Sequence, residues 1–365
     1  MKRSQTTWLS DKEYLEQFNN KTVRNRVPVT GSLELTSRCN LKCVHCYLGS
    51  QRRRDHALKE MNTGRILSIL DEVTEAGCLR FLITGGEPLS RKDFPEIYRH
   101  AKENGLLVTV FTNGTLITEM IAEIFEDLPP QAVEISLYGA TAETYEKITR
   151  VKGSYGKCMD GIEQLLKRNI NLHLKTVLMS LNKHELYAME GFARECGVRF
   201  RFDAAIFPCF NGDMTPLTFR VQPQEAVEKE FSDSERLRHW KEYFERAQKH
   251  TIPDTLYNCG AGVISFHVDS DGNLSPCLMT SSPKYDLLRG RFTEGWDNIT
   301  HGIREKKTGA DFACAKCNKR SLCGFCPAFF GLENGAEDIC SEYLCAIGEN
   351  RFKILALNGV TNGTQ

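Results

Sequence analysis

From Gly31 to Ala205, short apolar runs alternate six times with segments of helical period. The runs are residues 33–36, 79–83, 106–111, 132–137, 171–179 and 199–204. Between the first two, Ile66, Leu67, Ile69, Leu70 and Val73 recur at helical spacing. Residues 94–102, 117–125, 142–148, 155–168 and 183–195 also read as helices. Such alternation predicts a parallel sheet joined by right-handed crossovers. The runs are continuously apolar, as in strands covered on both faces. Six units fall short of the eight in a closed barrel. The expected fold class is therefore α/β, an open, partial (β/α)6 TIM-like barrel. Its site is expected at the C-terminal edge of the sheet, where the polar and glycine turns gather.

The first of those turns is LTSRCNLKCVHCY, residues 35–47, with Cys39, Cys43 and Cys46 spaced CxxxCxxC. Thiolates this dense suit a metal centre. A four-iron cluster wants four ligands, so three thiolates would leave one iron open to another molecule. Zinc, with His45 as fourth ligand, is the competing reading; His45 lies too close to Cys43 and Cys46 to share their ion comfortably. After the second run come Thr84, Gly85, Gly86, Glu87 and Pro88. Glycines let a backbone approach a ligand, and a carboxylate can hold an ammonium group. Thr112, Asn113 and Gly114 end the third run, as a cleft wall or a plain turn, and Ser136 closes the fourth. Lys175 and Asn182, on and after the fifth, are candidates for the site or for the surface.

The 47 basic and 47 acidic residues cancel, so no net field favours nucleic acid. No apolar stretch reaches the roughly 20 residues of a membrane span, and the N-terminus lacks the apolar core of a secretory signal. A cytoplasmic location is expected, without membrane or nucleic-acid partners. Fifteen cysteines in such a setting argue for metal over disulfides. Residues 1–30 read as a lead-in with a helix near 11–19, 31–205 as the partial barrel and 206–253 as a bridge. Residues 254–350 form a cysteine-rich module, and 351–365 a tail that begins with a short helix. The module holds eight of the fifteen cysteines but few apolar residues, so metal is expected to hold it together. Its hairpin candidate joins residues 264–268 to Leu274 through Asp271 and Gly272. The run Arg52–Arg54 reads as solvated. Cys78, Cys158 and Cys196 read as core. Cys209 is placed at the catalytic edge, in a structural role or facing a substrate.

The loop CNLKCVHCY, following a first strand, resembles the cluster loop of the radical S-adenosylmethionine (radical SAM) superfamily. That resemblance implies a 4Fe–4S cluster on Cys39, Cys43 and Cys46. S-adenosyl-L-methionine would bind the open iron and be cleaved to methionine and a 5′-deoxyadenosyl radical. Gly85, Gly86 and Glu87 are similar to the family's methionine-binding motif. Ser136 is similar to its ribose or carboxylate contact, whereas Tyr138 stands where many relatives have Asp. Tyr47, Thr112, Asn113 and Lys175 complete the implied cofactor set, with adenine near Tyr47 and Val177. Downstream, Cys259, Cys277, the array Cys314, Cys317, Cys323 and Cys326, and then Cys340 and Cys345 resemble the SPASM extension, which carries auxiliary clusters. By that likeness Cys259, Cys277 and Cys326 bind one cluster, and Cys314, Cys317, Cys323 and Cys345 bind another. Cys340 is either the missing ligand of the first or free. Two zinc ribbons are the competing reading.

The resemblance implies a peptide maturase that crosslinks or oxidises a ribosomally made peptide. A tetrapyrrole, haem or other cofactor-biosynthesis enzyme is the alternative, and a non-catalytic iron–sulfur protein the alternative of another class. The implied partners are the substrate and an electron donor such as flavodoxin or ferredoxin. Residues 1–30 are too short for a leader-binding winged helix, so a separate leader-peptide-binding protein is a further candidate partner. No catalytic acid or base can be named from sequence.

Overall fold

The computed structural model describes residues 10–49, 60–248, 255–309, 312–357 and 359. The Arg52–Arg54 run, and residues 358 and 360–365 of the expected tail, lie outside the described residues. The six expected strands are Thr30–Glu34 (β1), Arg80–Thr84 (β2), Leu107–Thr112 (β3), Ala132–Ser136 (β4), Leu172–Val177 (β5) and Arg199–Asp203 (β6). They form one sheet in the order β6-β5-β4-β3-β2-β1, with every neighbouring pair parallel. Helices Thr63–Glu75, Phe94–Glu103, Glu119–Asp127, Ala142–Thr149, Ser154–Lys167 and Leu186–Glu195 make the crossovers. Asn62, Thr118 and Thr141 start three of them, each accepting a backbone N–H of the first turn.

Leu33, Ile83, Val110, Ile135 and Leu174 give each of the first five strands a fully buried position. The sixth departs from the expected continuous apolar pattern. In β6, Arg199, Arg201 and Asp203 alternate with the more buried Phe200 and Phe202. This strand ends the sheet, and charge on an edge strand discourages pairing with another chain.

The C-terminal hairpin exists but is not a separate module. Ser265–Val268 (β7) pairs in parallel with β1, and Asn273–Ser275 (β8) and Tyr285–Asp286 (β9) follow antiparallel, giving nine strands. Apolar packing holds this join, in addition to any metal. Phe266 on β7 lies 4.7 Å from Phe292, 6.2 Å from Trp296 and 6.4 Å from Phe81, centre to centre. Trp296 Nε1 donates to the Arg26 carbonyl (2.8 Å), tying down the N-terminal helix Asp11–Asn25, which is longer than expected.

The bridge is also integrated. Its helices Pro223–Phe231 and Ser234–Ala247 pack with the last helix, Glu342–Leu357, around Phe244, Leu322 and Leu355. Arg351 pairs with Glu230 (2.8 Å) across that contact. The boundary expected at residue 350 therefore falls inside a helix.

Gly31 on β1 faces the Phe266 ring so closely that an added Cβ would sit 2.3 Å from Cζ. The ring is wedged among other aromatics and cannot swing away freely. Gly31→Ala is expected to destabilise the protein by about 1–3 kcal/mol, the usual cost of overpacking. Chemical denaturation checks this, and an unchanged midpoint would show that the join tolerates a methyl group.

Candidate cluster and cofactor site

The cluster loop is held from four sides. Glu60 accepts from Thr36 Oγ1 (2.5 Å), Ser37 N (3.0 Å) and Ser37 Oγ (3.2 Å), and pairs with Arg38 (3.0 Å). Arg91 Nη1 donates to the Leu35 and Met61 carbonyls, both at 3.0 Å. Its own partner is Asp93, whose carboxyl it holds down to about 2. Lys42 N and Val44 N donate to the Thr149 and Ile148 carbonyls (2.9 and 3.0 Å) at the end of helix Ala142–Thr149. On the far side Cys209 Sγ donates to the Cys46 carbonyl (3.3 Å), and Phe210 N to the Tyr47 carbonyl (2.9 Å). Cys209 thus clamps the loop while 4% exposed, which favours its structural reading.

The Thr84–Glu87 turn docks directly on this loop. Gly86 N donates to Thr36 O (2.7 Å) and Glu87 N to Arg38 O (2.8 Å). A Cβ on Gly86 would lie 2.2 Å from Arg38 O. On Gly85, which has φ +136, it would lie 2.5 Å from Thr36 O. The glycines therefore serve first to seat one turn against the other.

Glu87 takes a different role from the one its motif suggests. It is fully buried and is absent from the residues lining the pocket. Oε1 accepts from Thr112 Oγ1 (2.7 Å) and Leu89 N (3.1 Å), and Oε2 from Asn113 N (2.8 Å). Its carboxylate ties the β2 turn to the β3 turn. Asn182 is likewise inward, accepting from Met179 N (2.8 Å) and donating to the Val177 carbonyl (3.0 Å).

The other candidates converge. Cys39, Cys43, Cys46, Tyr47, Gly85, Gly86, Thr112, Asn113, Ser136, Lys175 and Val177 line one pocket of about 210 Å³. Asn113 Nδ2 donates to Asn40 Oδ1 (2.9 Å) and lies 3.8 Å from Cys39 Sγ. Leu41 N also donates to Cys39 Sγ (3.4 Å). Lys175 Nζ lies 3.5 Å from Glu134 and over the Phe111 ring. Burial pulls its pKa well below the usual value, with Glu134 opposing.

Tyr138, legible only as a departure from the family pattern, is a wall of this pocket. Its ring packs edge-on to His45 at 4.7 Å, and its hydroxyl bonds to Ser136. Burial first, then the neighbouring Cys43, push that hydroxyl well above its ordinary range, so it stays neutral. Glu60 had no sequence signal, because a single Glu in a polar stretch forms no motif.

The eight C-terminal cysteines fall into two groups. Cys259, Cys277 and Cys326 lie close enough to act on one another electrostatically. Cys314, Cys317, Cys323, Cys340 and Cys345 form the other, with Cys340 close enough to act electrostatically on both Cys314 and Cys345. Of the two readings left open for Cys340, this placement sets it beside the second group and away from the role of missing ligand in the first. Helix Glu342–Leu357 begins just after Cys340, and its first turn also carries Cys345. Burial pushes Cys314 and Cys345 up to about 12, and Cys323 and Cys326 up to about 11. Such thiols ionise at neutral pH only if a metal replaces the proton. Among the described residues no three His, Cys, Asp or Glu side chains converge on a single-ion position. A cavity of about 440 Å³ opens beside Cys323 and Cys326, bounded by Phe207, Trp240 and Tyr343.

The sheet is a partial parallel barrel with Cys39, Cys43 and Cys46 on the pocket at its C-terminal edge. Residues 33–193 match the Radical SAM superfamily. The chain is 28% identical over 327 residues to the AdoMet-dependent heme synthase of Methanosarcina barkeri, covering 81% of this chain and 90% of that protein. It is 28% identical over 335 residues to the mycofactocin maturase MftC of Mycolicibacterium smegmatis, covering 86% of this chain and 83% of that one. The crystal structure of Streptococcus suis SuiB superposes with a TM-score of 0.70 at 17% identity, over 94% of this chain and 84% of that chain, a likeness of fold. The family carries a 4Fe–4S cluster and S-adenosylmethionine. Three thiols facing a pocket floored by two glycines fit both.

Burial raises Glu87 from 4.5 to about 7, outweighing its three hydrogen bonds. A carboxyl raised in the folded state favours folding below its unfolded pKa of 4.5. That contribution is lost as pH rises through about 7. Wild type should therefore lose stability relative to Glu87→Gln between about pH 5 and 7.5, as read by denaturation at both. Glu87→Ala leaves three donors unpaired and should cost about 2–4 kcal/mol at either pH. A loss below 1 kcal/mol, about the worth of one hydrogen bond, would show that the two turns do not depend on it.

Proposed function

We propose that the chain oxidises a ribosomally made peptide by radical chemistry, and that its two C-terminal cysteine groups hold auxiliary 4Fe–4S clusters of the SPASM type. The division of the eight cysteines into two groups carries this reading. One-electron cleavage of the cofactor leaves a substrate radical, and an oxidation needs somewhere for the second electron to go. Likeness to MftC over 83% of that maturase supports the peptide class. Reduced flavodoxin or ferredoxin is the expected donor. The M. barkeri haem synthase, matched over 90% of its length, favours a second reading in which a tetrapyrrole side chain is the substrate.

Bound to Cys39, Cys43 and Cys46, a 4Fe–4S cluster would supply the electron for reductive cleavage of S-adenosylmethionine. The chain's residues prepare for that. Cys39, Cys43 and Cys46 provide three thiolates, leaving room for the amino and carboxylate groups of the cofactor. Asn113 and Ser136 offer polar contacts along the pocket, and Tyr138 keeps a neutral hydroxyl beside them. Tyr47, Phe207 and Phe210 pack at 5.0–6.1 Å. Tyr47 lines the cofactor pocket, and Phe207 and Phe210 back its ring from outside that pocket.

Anaerobically reconstituted protein with dithionite should release 5′-deoxyadenosine and hold about twelve irons, four for each of three clusters. Cys39→Ala should abolish that release. Cys314→Ala should keep it but stop substrate turnover, and unchanged turnover would contradict an auxiliary role. Mass analysis after incubation with a precursor peptide encoded beside the gene, or with a propionate-bearing iron tetrapyrrole, separates the two substrate classes. Absence of cofactor cleavage would leave only the non-catalytic reading.

A further inference from the structure

Arg320 occupies the turn between Cys317 and Cys323. Its N–H donates to the Cys317 carbonyl (3.2 Å), and its own carbonyl accepts from the Cys323 thiol (3.3 Å). The residue is 7% exposed. Its guanidinium lies 3.7 Å from the Phe325 ring centre and 5.9 Å from that of Phe312. With its amide turned to satisfy both ends, Asn258 accepts from Nη2 at 2.5 Å. Nη1, at the other end, is buried and has no hydrogen-bond acceptor.

A buried guanidinium N–H left unpaired is expensive, and charged donors cost more than neutral ones. Aromatic faces hold the plane of the group but accept no strong hydrogen bond. The groups that act on Arg320 electrostatically are Cys314, Cys323 and Cys317, three members of the second group. The missing acceptor is therefore anionic and sits among those sulfurs. An iron–sulfur cluster supplies such acceptors, and hydrogen bonds to its sulfurs set its potential.

We propose that Arg320 is a positioning residue that donates an N–H to the cluster of the second cysteine group and raises its reduction potential, making it the better electron acceptor of the two auxiliary sites. The inference rests on that group holding a cluster. A fixed positive charge favours the reduced, more negative form. The contrast with the other centres is in their donors. Arg304, beside Cys259, is committed to the Tyr257 and Cys259 carbonyls, both at 3.0 Å. Cys39 receives only neutral donors among the hydrogen bonds described above.

The test is a potentiometric titration of the anaerobically reconstituted full chain, followed by electron paramagnetic resonance, for wild type, Arg320→Gln and Arg320→Lys. In Arg320→Gln one auxiliary midpoint should fall. At fixed potential its reduced-to-oxidised ratio should drop at least tenfold, which is about 59 mV for a one-electron couple. Arg320→Lys should fall less, and the other couples should not move. Unchanged midpoints with iron retained would overturn the inference. Wild-type iron short of a third cluster would remove the reading beneath it, and the inference with it. Should Arg320→Gln fail to hold iron, wild type grown on ¹⁵N-arginine decides by pulsed measurement of the reduced cluster. A nitrogen coupling that disappears in Arg320→Lys supports the hydrogen bond, and no coupling refutes it.

Discussion

The site depends on two turns that dock backbone to backbone. The chain leaving β2 donates Gly86 N to Thr36 O and Glu87 N to Arg38 O, and there is no room for a Cβ between them. This contact sets the height of the cluster loop above the sheet. Glu87 then reaches from the same turn to Thr112 and Asn113, and Asn113 reaches back to Asn40 and Cys39. Three successive strand ends are closed into one ring of hydrogen bonds. The thiols ride on that ring, so their spacing is a property of the barrel and not of a free loop.

The same logic extends to the C-terminal half. Because β7 pairs with β1, the strand that feeds the cluster loop also carries the cysteine-rich region. Phe207 links them from the other side, packing 5.7 Å from Tyr47 and 6.0 Å from Phe329. A shared sheet and an aromatic bridge thus tie the cluster loop to the C-terminal cysteines. The Arg220–Glu333 and Arg351–Glu230 pairs fasten the bridge helices and β6 side to the same region. No helix among the described residues is long and apolar enough to cross a membrane.

Much of this was legible in the sequence. Strand runs with period-free apolar character gave the barrel, and turns rich in Cys, Gly and Asn marked its working edge. Four features were not, for separable reasons. The motif located Glu87, but only packing shows that its side chain turns inward, because a motif carries position and not direction. Cys340 could not be assigned by counting gaps, since the chain folds it near both Cys314 and Cys345. Glu60 and Arg91 hold the cluster loop through side chains far along the chain, which leave no local pattern. β7 was read as half of an isolated hairpin because pairing with β1 spans more than 230 residues, a contact no local period reveals.

The central claim is that Cys39, Cys43 and Cys46 hold a cluster whose open corner faces the pocket of Gly85, Asn113 and Ser136. Pulsed electron paramagnetic resonance of the reduced protein, with S-adenosylmethionine carrying ¹⁵N in its amino group and ¹⁷O in its carboxylate, addresses it most directly. The account predicts hyperfine coupling from both labels to one cluster, lost when Cys39 is replaced by Ala. A cluster signal that is indifferent to the labelled cofactor would contradict it.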